Sequence, residues 1–148
     1  MSGELFEITP DFVRLFLRDN VEYNKLLDDV QFSDERITQA KQLALARFNV
    51  MTPLSNYNFE TFPNQYLLLY GTLFCLFTGE AAAAARNELN YQDGGLTVPL
   101  EERFQYYSSL AQMYDGMFAN AAQQAKIQLN LESGYSMVPS DYAYLNSY

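Results

Sequence analysis

Between Glu60 and Glu80 the chain carries no charged side chain, and Tyr66 to Phe77 is apolar throughout except for Gly71 and Thr72. A run with no polar side to turn toward water must be covered on every side, and it is too long for an ordinary strand. It therefore predicts a central helix, which the five alanines Ala81 to Ala85 extend to about Leu89. A membrane span needs about 20 apolar residues. The continuous run here is 12, preceded by Pro63, Asn64 and Gln65, so the expectation is a core helix and no membrane. Gly71, Cys75, Gly79 and Ala83 recur every fourth residue and form a ridge of small side chains. Such a ridge lets another helix approach closely, from the same chain or from a neighbouring copy.

Three further helices are legible around this one. Thr9 as N-cap, Pro10 at the first helical position and Asp11 in the first turn open a short helix. Phe12, Leu15 and Phe16 give it an apolar face, Asn20 breaks it, and Glu22 to Asp29 allows a short continuation. Ser33 caps the next helix, with Asp34 and Glu35 suited to the positive end of the helix dipole. Its inward line is Ile37, Ala40, Ala44, Phe48 and Met51, flanked by Lys41 and Arg47, and it ends between Asn49 and Thr52. Pro53 to Pro63 is then a loop pinned by Tyr57, Phe59 and Phe62. A turn follows the central helix at Asp93, Gly94 and Gly95. Pro99 starts a long final helix with Glu101 and Glu102 in its first turn. Leu100, Phe104, Tyr107, Ala111, Tyr114, Phe118, Ala121 and Ala125 mark its contact face, and Gly134 its end.

The expected fold is thus all-α: a four-helix, bundle-like single domain over residues 1–134, followed by an extended tail over 135–148. That tail holds four tyrosines and Asp141 as its one charge, whereas disordered tails are rich in charge and poor in aromatics. Tyr135, Met137, Val138, Tyr142, Tyr144 and Tyr148 are read as docking residues for another protein. From Phe104 onward the only charges are Asp115, Lys126, Glu132 and Asp141, a depletion typical of interface cores.

The search for chemistry returns none. Histidine is absent, which removes the Ser-His-Asp triad, imidazole metal sites and the commonest general bases. The adjacent pairs Asp34-Glu35 and Glu101-Glu102 are accounted for as first-turn acids. Asp93-Gly94-Gly95 lacks the preceding strand and the following Lys-Ser/Thr of a phosphate loop. Cys75 is a lone thiol in an apolar run, where cysteine packs as a small hydrophobe, and it excludes an internal disulfide. A net charge of −9 with scattered basic residues argues against binding nucleic acid specifically. No catalytic residue, metal site or cofactor is expected.

From Phe62 to Tyr148 the chain resembles small helical structural proteins of tailed bacteriophage virions. The resemblance is carried by Tyr66-Leu67-Leu68-Leu69-Tyr70-Gly71, by Ala85-Arg86-Asn87 leading to Tyr91-Gln92-Asp93-Gly94-Gly95, by Val98-Pro99 with the tyrosine-bearing helix, and by Gly134-Tyr135 with its tail. The order is similar to that of head-to-tail connector (neck adaptor) proteins. It implies a non-enzymatic subunit, made in the host cytoplasm, of a homo-oligomeric ring in the virion. Such rings are commonly twelve-fold and let DNA pass between the portal and neighbouring neck or tail proteins. Another tail or baseplate subunit, and a cellular helical protein–protein adaptor, are the alternatives.

Overall fold

The computed structural model of the chain describes residues 6–24, 27, 29–91 and 101–137. They form four helices, α1 (Pro10–Leu17), α2 (Asp34–Val50), α3 (Gln65–Tyr91) and α4 (Glu101–Met137), and no strand occurs among them. The fold is all-α and bundle-like. α3 is the axis, running antiparallel to both long neighbours. Arg36 at the start of α2 pairs with Glu80 at 3.3 Å, while further along α2 Ala44 faces Gly71. On the other side Phe77 stacks on Tyr107 and Gly71 lies against Phe118. Gly71 is needed at this three-helix crossing. A Cβ built on it would lie 2.6 Å from the Ala44 Cβ and 2.9 Å from the Phe118 ring, closer than atoms can pack.

Two apolar clusters fill the body. Phe32, Ile37, Ala40, Leu69, Leu73 and Leu76 meet Ile8 and Val13 from the N-terminal segment. Ala44, Phe48, Phe62, Leu67, Leu68, Phe118 and Ala122 join α2, the 53–63 loop, α3 and α4. The loop is held as its aromatics imply: Phe48 packs edge-on to Phe62 at 5.0 Å, and Tyr57 closes on both. Asn49 adds polar ties, donating to the Tyr57 carbonyl at 2.9 Å and accepting from the Tyr57 amide at 3.0 Å.

Local signals set several helix ends. The Ser33 hydroxyl accepts from the Arg36 amide at 3.3 Å, and Asn64 Oδ1 accepts from the Leu67 amide at 3.1 Å. α1 stops where Arg18 turns left-handed at φ 53°. The buried Asp19 carboxylate then orders the following segment, accepting from the Gln31 and Phe32 amides at 2.7 and 2.8 Å and from Asn24. None of the described residues between Arg18 and Ser33 is helical, so the expected continuation over 22–29 is not found among them. Chain that wraps a carboxylate cannot also satisfy a helical ladder.

Three other expectations are corrected. α1 buries Val13 and half-buries Leu17, while Phe12, Leu15 and Phe16 face outward. α4 runs through Gly134 to Met137, so 135–137 belong to the helix and not to an extended tail. A glycine costs a helix only about 1 kcal/mol, so Gly134 does not by itself end one. Residues 65–87 of α3 are also long and apolar enough by composition to cross a bilayer, so length does not exclude a span. The fold instead shows Leu67, Leu68, Leu69, Leu73 and Leu76 packed inside the body.

Candidate subunit-interaction surface

α4 places its inner line, Ala111, Phe118 and Ala122, at 0–6% exposure against α3 and α2. The expected contact face is the one that packs, and Ala122 joins it. Tyr107, Tyr114, Ala121 and Ala125 are half-buried, Phe104 is 38% exposed, and Ala122 with Lys126 completes the buried line. Leu100 lies outside the described residues. The outer side of the same helix is the unusual feature. Tyr106, Met113, Met117, Ile127 and Leu131 are all exposed, with Leu110 half-exposed between them and Asn120 and Gln124 on the same line. These positions are separated alternately by four and three residues, the spacing of a helix that pairs along its length with another.

That outer side also lacks charge. Between Arg103 and Glu132 only Asp115 and Lys126 are charged, and both turn toward the body. Asp115 lies 2.6 Å from Arg47 of α2, whose guanidinium is held over the Phe74 and Phe118 rings. Lys126 is 3% exposed; it donates to the Pro53 carbonyl and the Ser55 hydroxyl, both at 2.7 Å, and lies over the Phe48 ring. Among the described residues no carboxylate pairs with it, and burial pushes its ammonium below the usual lysine pKa. Lys41 is similarly enclosed, at 2.8 Å from both Glu7 and the Ile8 carbonyl. The two lysines thus tie distant segments to the helices.

Beside the outer strip, a ladder of aromatic rings follows the α3–α4 seam. Tyr66, Tyr70, Tyr114, Phe77 and Tyr107 contact one another in series at 5.7–6.5 Å, the closest pair nearly parallel at 7°. Burial raises the Tyr114 hydroxyl above its ordinary pKa, and Tyr70 adds to the effect. Tyr66 is exposed and the other four rings are half-buried, and Tyr106 of the outer strip meets the ladder edge-on at Tyr107, 5.9 Å away. A smaller apolar patch lies at the N-terminal end, where Phe6 packs on Phe12 at 4.8 Å and Leu15 and Phe16 line a groove of about 470 Å³ with Tyr23.

The residues singled out from the sequence divide as follows. Of the small-residue ridge, Gly71 is enclosed by α2 and α4, Cys75 and Ala83 are half-buried, and Gly79 opens to solvent with nothing near. Burial raises the Cys75 thiol pKa, with Arg47 opposing it weakly, which keeps the thiol protonated and unreactive. Tyr135 and Met137 fall in the last turn of α4. Val138, Tyr142, Tyr144 and Tyr148 lie outside the described residues, as do Asp93, Gly94 and Gly95 of the turn. Among the described residues no three His, Cys, Asp or Glu side chains gather as metal ligands would. The outer strip of α4 was not recognised from sequence, although its alternating spacing was present to be read. No family model matches the chain, and no curated protein or solved structure matches it either.

Proposed function

We propose that this chain is a non-enzymatic structural subunit whose role is to be covered by neighbouring copies and partner proteins. The single observation that carries this reading is the outer side of α4, about 40 Å of exposed helix with no charge directed at solvent. An ordinary exposed helix turns charged residues outward. A surface depleted of charge and enriched in Tyr, Phe and Met has the composition of an interface core.

The more specific form of the proposal is a subunit of the ring in a bacteriophage head-to-tail connector, in contact with the portal and with neck or tail proteins. It rests on the sequence resemblance from Phe62 to Tyr148. A net charge of −9 suits a wall past which DNA slides, because like charges do not adhere.

Mass spectrometry of purified virions from the source phage, with localisation by electron microscopy of particles carrying a tagged copy, tests it. The expected result is a fixed number of copies per particle at the neck. A chain that is never incorporated into particles removes the connector reading. Turnover of a substrate by a solitary 17.0 kDa species removes the structural one as well.

A further inference from the structure

We infer that, before assembly, α4 of one copy pairs antiparallel with α4 of a second copy across the uncharged strip. The occupant follows from register and charge. Antiparallel pairing about a two-fold axis level with Phe118 and Ala119 sets Tyr106 opposite Leu131 and Leu110 opposite Ile127. Toward the axis, Met113 meets Gln124 and Met117 meets Asn120. Apolar pairs close both ends, and the two amides come near the centre, where the symmetry brings those of both copies together. In this alignment each Arg103 comes to one edge of the strip beside Glu132 of the other copy, so the charges that bound the strip meet their opposites twice. Both side chains are exposed, and neither forms an ion pair within its own chain among the described residues. A parallel pair would bring Arg103 to Arg103 and Glu132 to Glu132.

A second observation agrees. Gly116 is an exposed glycine in the middle of a long helix, and a Cβ there would meet nothing in its own chain. Such a glycine costs the helix about 1 kcal/mol with no internal packing in return. In the antiparallel register it lies at the edge of the strip within three residues of the axis, where the lack of a side chain lets two helices approach.

An isologous pair closes on itself and cannot extend into a ring. On the assembly role proposed above, on which this step rests, the pair is therefore a storage form that shields the strip until a template displaces it. The strip covers 26 residues. At 1.5 Å per residue and a helix width of about 11 Å its projected footprint is roughly 400 Å² per copy. That is small beside the roughly 800 Å² of a standard interface, so a micromolar, exchangeable pair is expected.

Sedimentation equilibrium of the full chain, in a concentration series over about 1–100 μM, should show reversible conversion to twice the 17.0 kDa monomer mass. Ile127→Glu should weaken association at least about 100-fold while helicity by circular dichroism stays unchanged, because Ile127 is 52% exposed. Arg103→Glu should weaken it about 3–10-fold, and adding Glu132→Arg should restore it. In a Cys75→Ala background, mixing Met113→Cys with Gln124→Cys chains should give disulfide-linked dimers. Leu131→Cys alone should give none. A chain that stays monomeric, a pair indifferent to Ile127→Glu, or linkage through Leu131→Cys alone overturns the inference. A monomer that still enters virions leaves the proposed function standing, and a paired chain absent from every particle removes that function instead.

Discussion

On its inner side α4 presents Ala111, Phe118 and Ala122 at no more than 6% exposure, and on its outer side Met113, Met117 and Ile127 at 39–52%. Both sides are apolar, and both advance by the same average step, since Tyr107, Ala111, Tyr114, Phe118, Ala121 and Ala125 also alternate four and three. The inner line must match a fixed neighbour, α3, whose Gly71 leaves room for the Phe118 ring. The outer line alternates four and three, the average of 3.5 that keeps two whole helices in contact over many turns. Hydrophobicity alone therefore does not say which side of a helix belongs to its own chain. The direction of the few charges does, because Asp115 and Lys126 find partners only inward.

The widest separation between the two sides should come from adjacent residues. Phe118→Ala removes a side chain with 0% exposure and should cost about 3–5 kcal/mol in urea unfolding. Met117→Ala, measured under dilute conditions where any pair dissociates, should change it by less than about 0.5 kcal/mol. Equal effects would break the two-sided description. The glycines sharpen it next, with opposite signs. Gly71→Ala should destabilise by about 1–3 kcal/mol because its Cβ meets Ala44 and Phe118. Gly79→Ala, in open space on the same helix, should stabilise by about 0.5–1 kcal/mol. Both are read from the shift in denaturation midpoint.

Ser33→Ala removes the N-cap of α2 and should cost about 1 kcal/mol by thermal unfolding, with no effect on the outer strip of α4. The smallest effect is the dependence on pH through Lys126. Its ammonium has a lower pKa folded than unfolded, so between the two values the unfolded chain binds more protons. Stability should then rise with pH as the ordinary lysine value of 10.5 is approached, and the burial cost is felt in full below the folded pKa. Tyr114 and Cys75 act the other way, since raised pKa values make stability fall above their ordinary 10.0 and 9.0. Comparing Lys126→Met with the native chain isolates the lysine. The difference between them should shift in favour of the native chain as pH rises from 7 toward 10, and a flat difference would mean Lys126 stays hydrated.

The covered run from Tyr66 to Phe77, the cap at Ser33 and the inward line of α2 were legible because each rests on contacts within a few residues or on composition. The aromatic pins of the 53–63 loop were legible for the same reason. α1 was misread because eight residues offer two apolar sides and nothing local chooses between them; Ile8, Phe32 and α3 make the choice for Val13. The burial of two lysines was not legible either. Lys41 depends on Glu7 and Ile8, and Lys126 on Pro53 and Ser55 more than 70 residues away.

By itself the sequence determined that this chain is helical, that its third helix must be enclosed, and that histidine-based chemistry is excluded. Those properties follow from residue type and short-range period, which any fold of the chain must obey. Only the tertiary structure decided that the few charges of α4 turn inward and that its outer side stays uncovered by the described residues of its own chain. It also decided that Gly71 is a packing position while Gly79 and Gly116 are open. Such choices depend on which distant segments arrive at each helix, and chain neighbours carry no record of that.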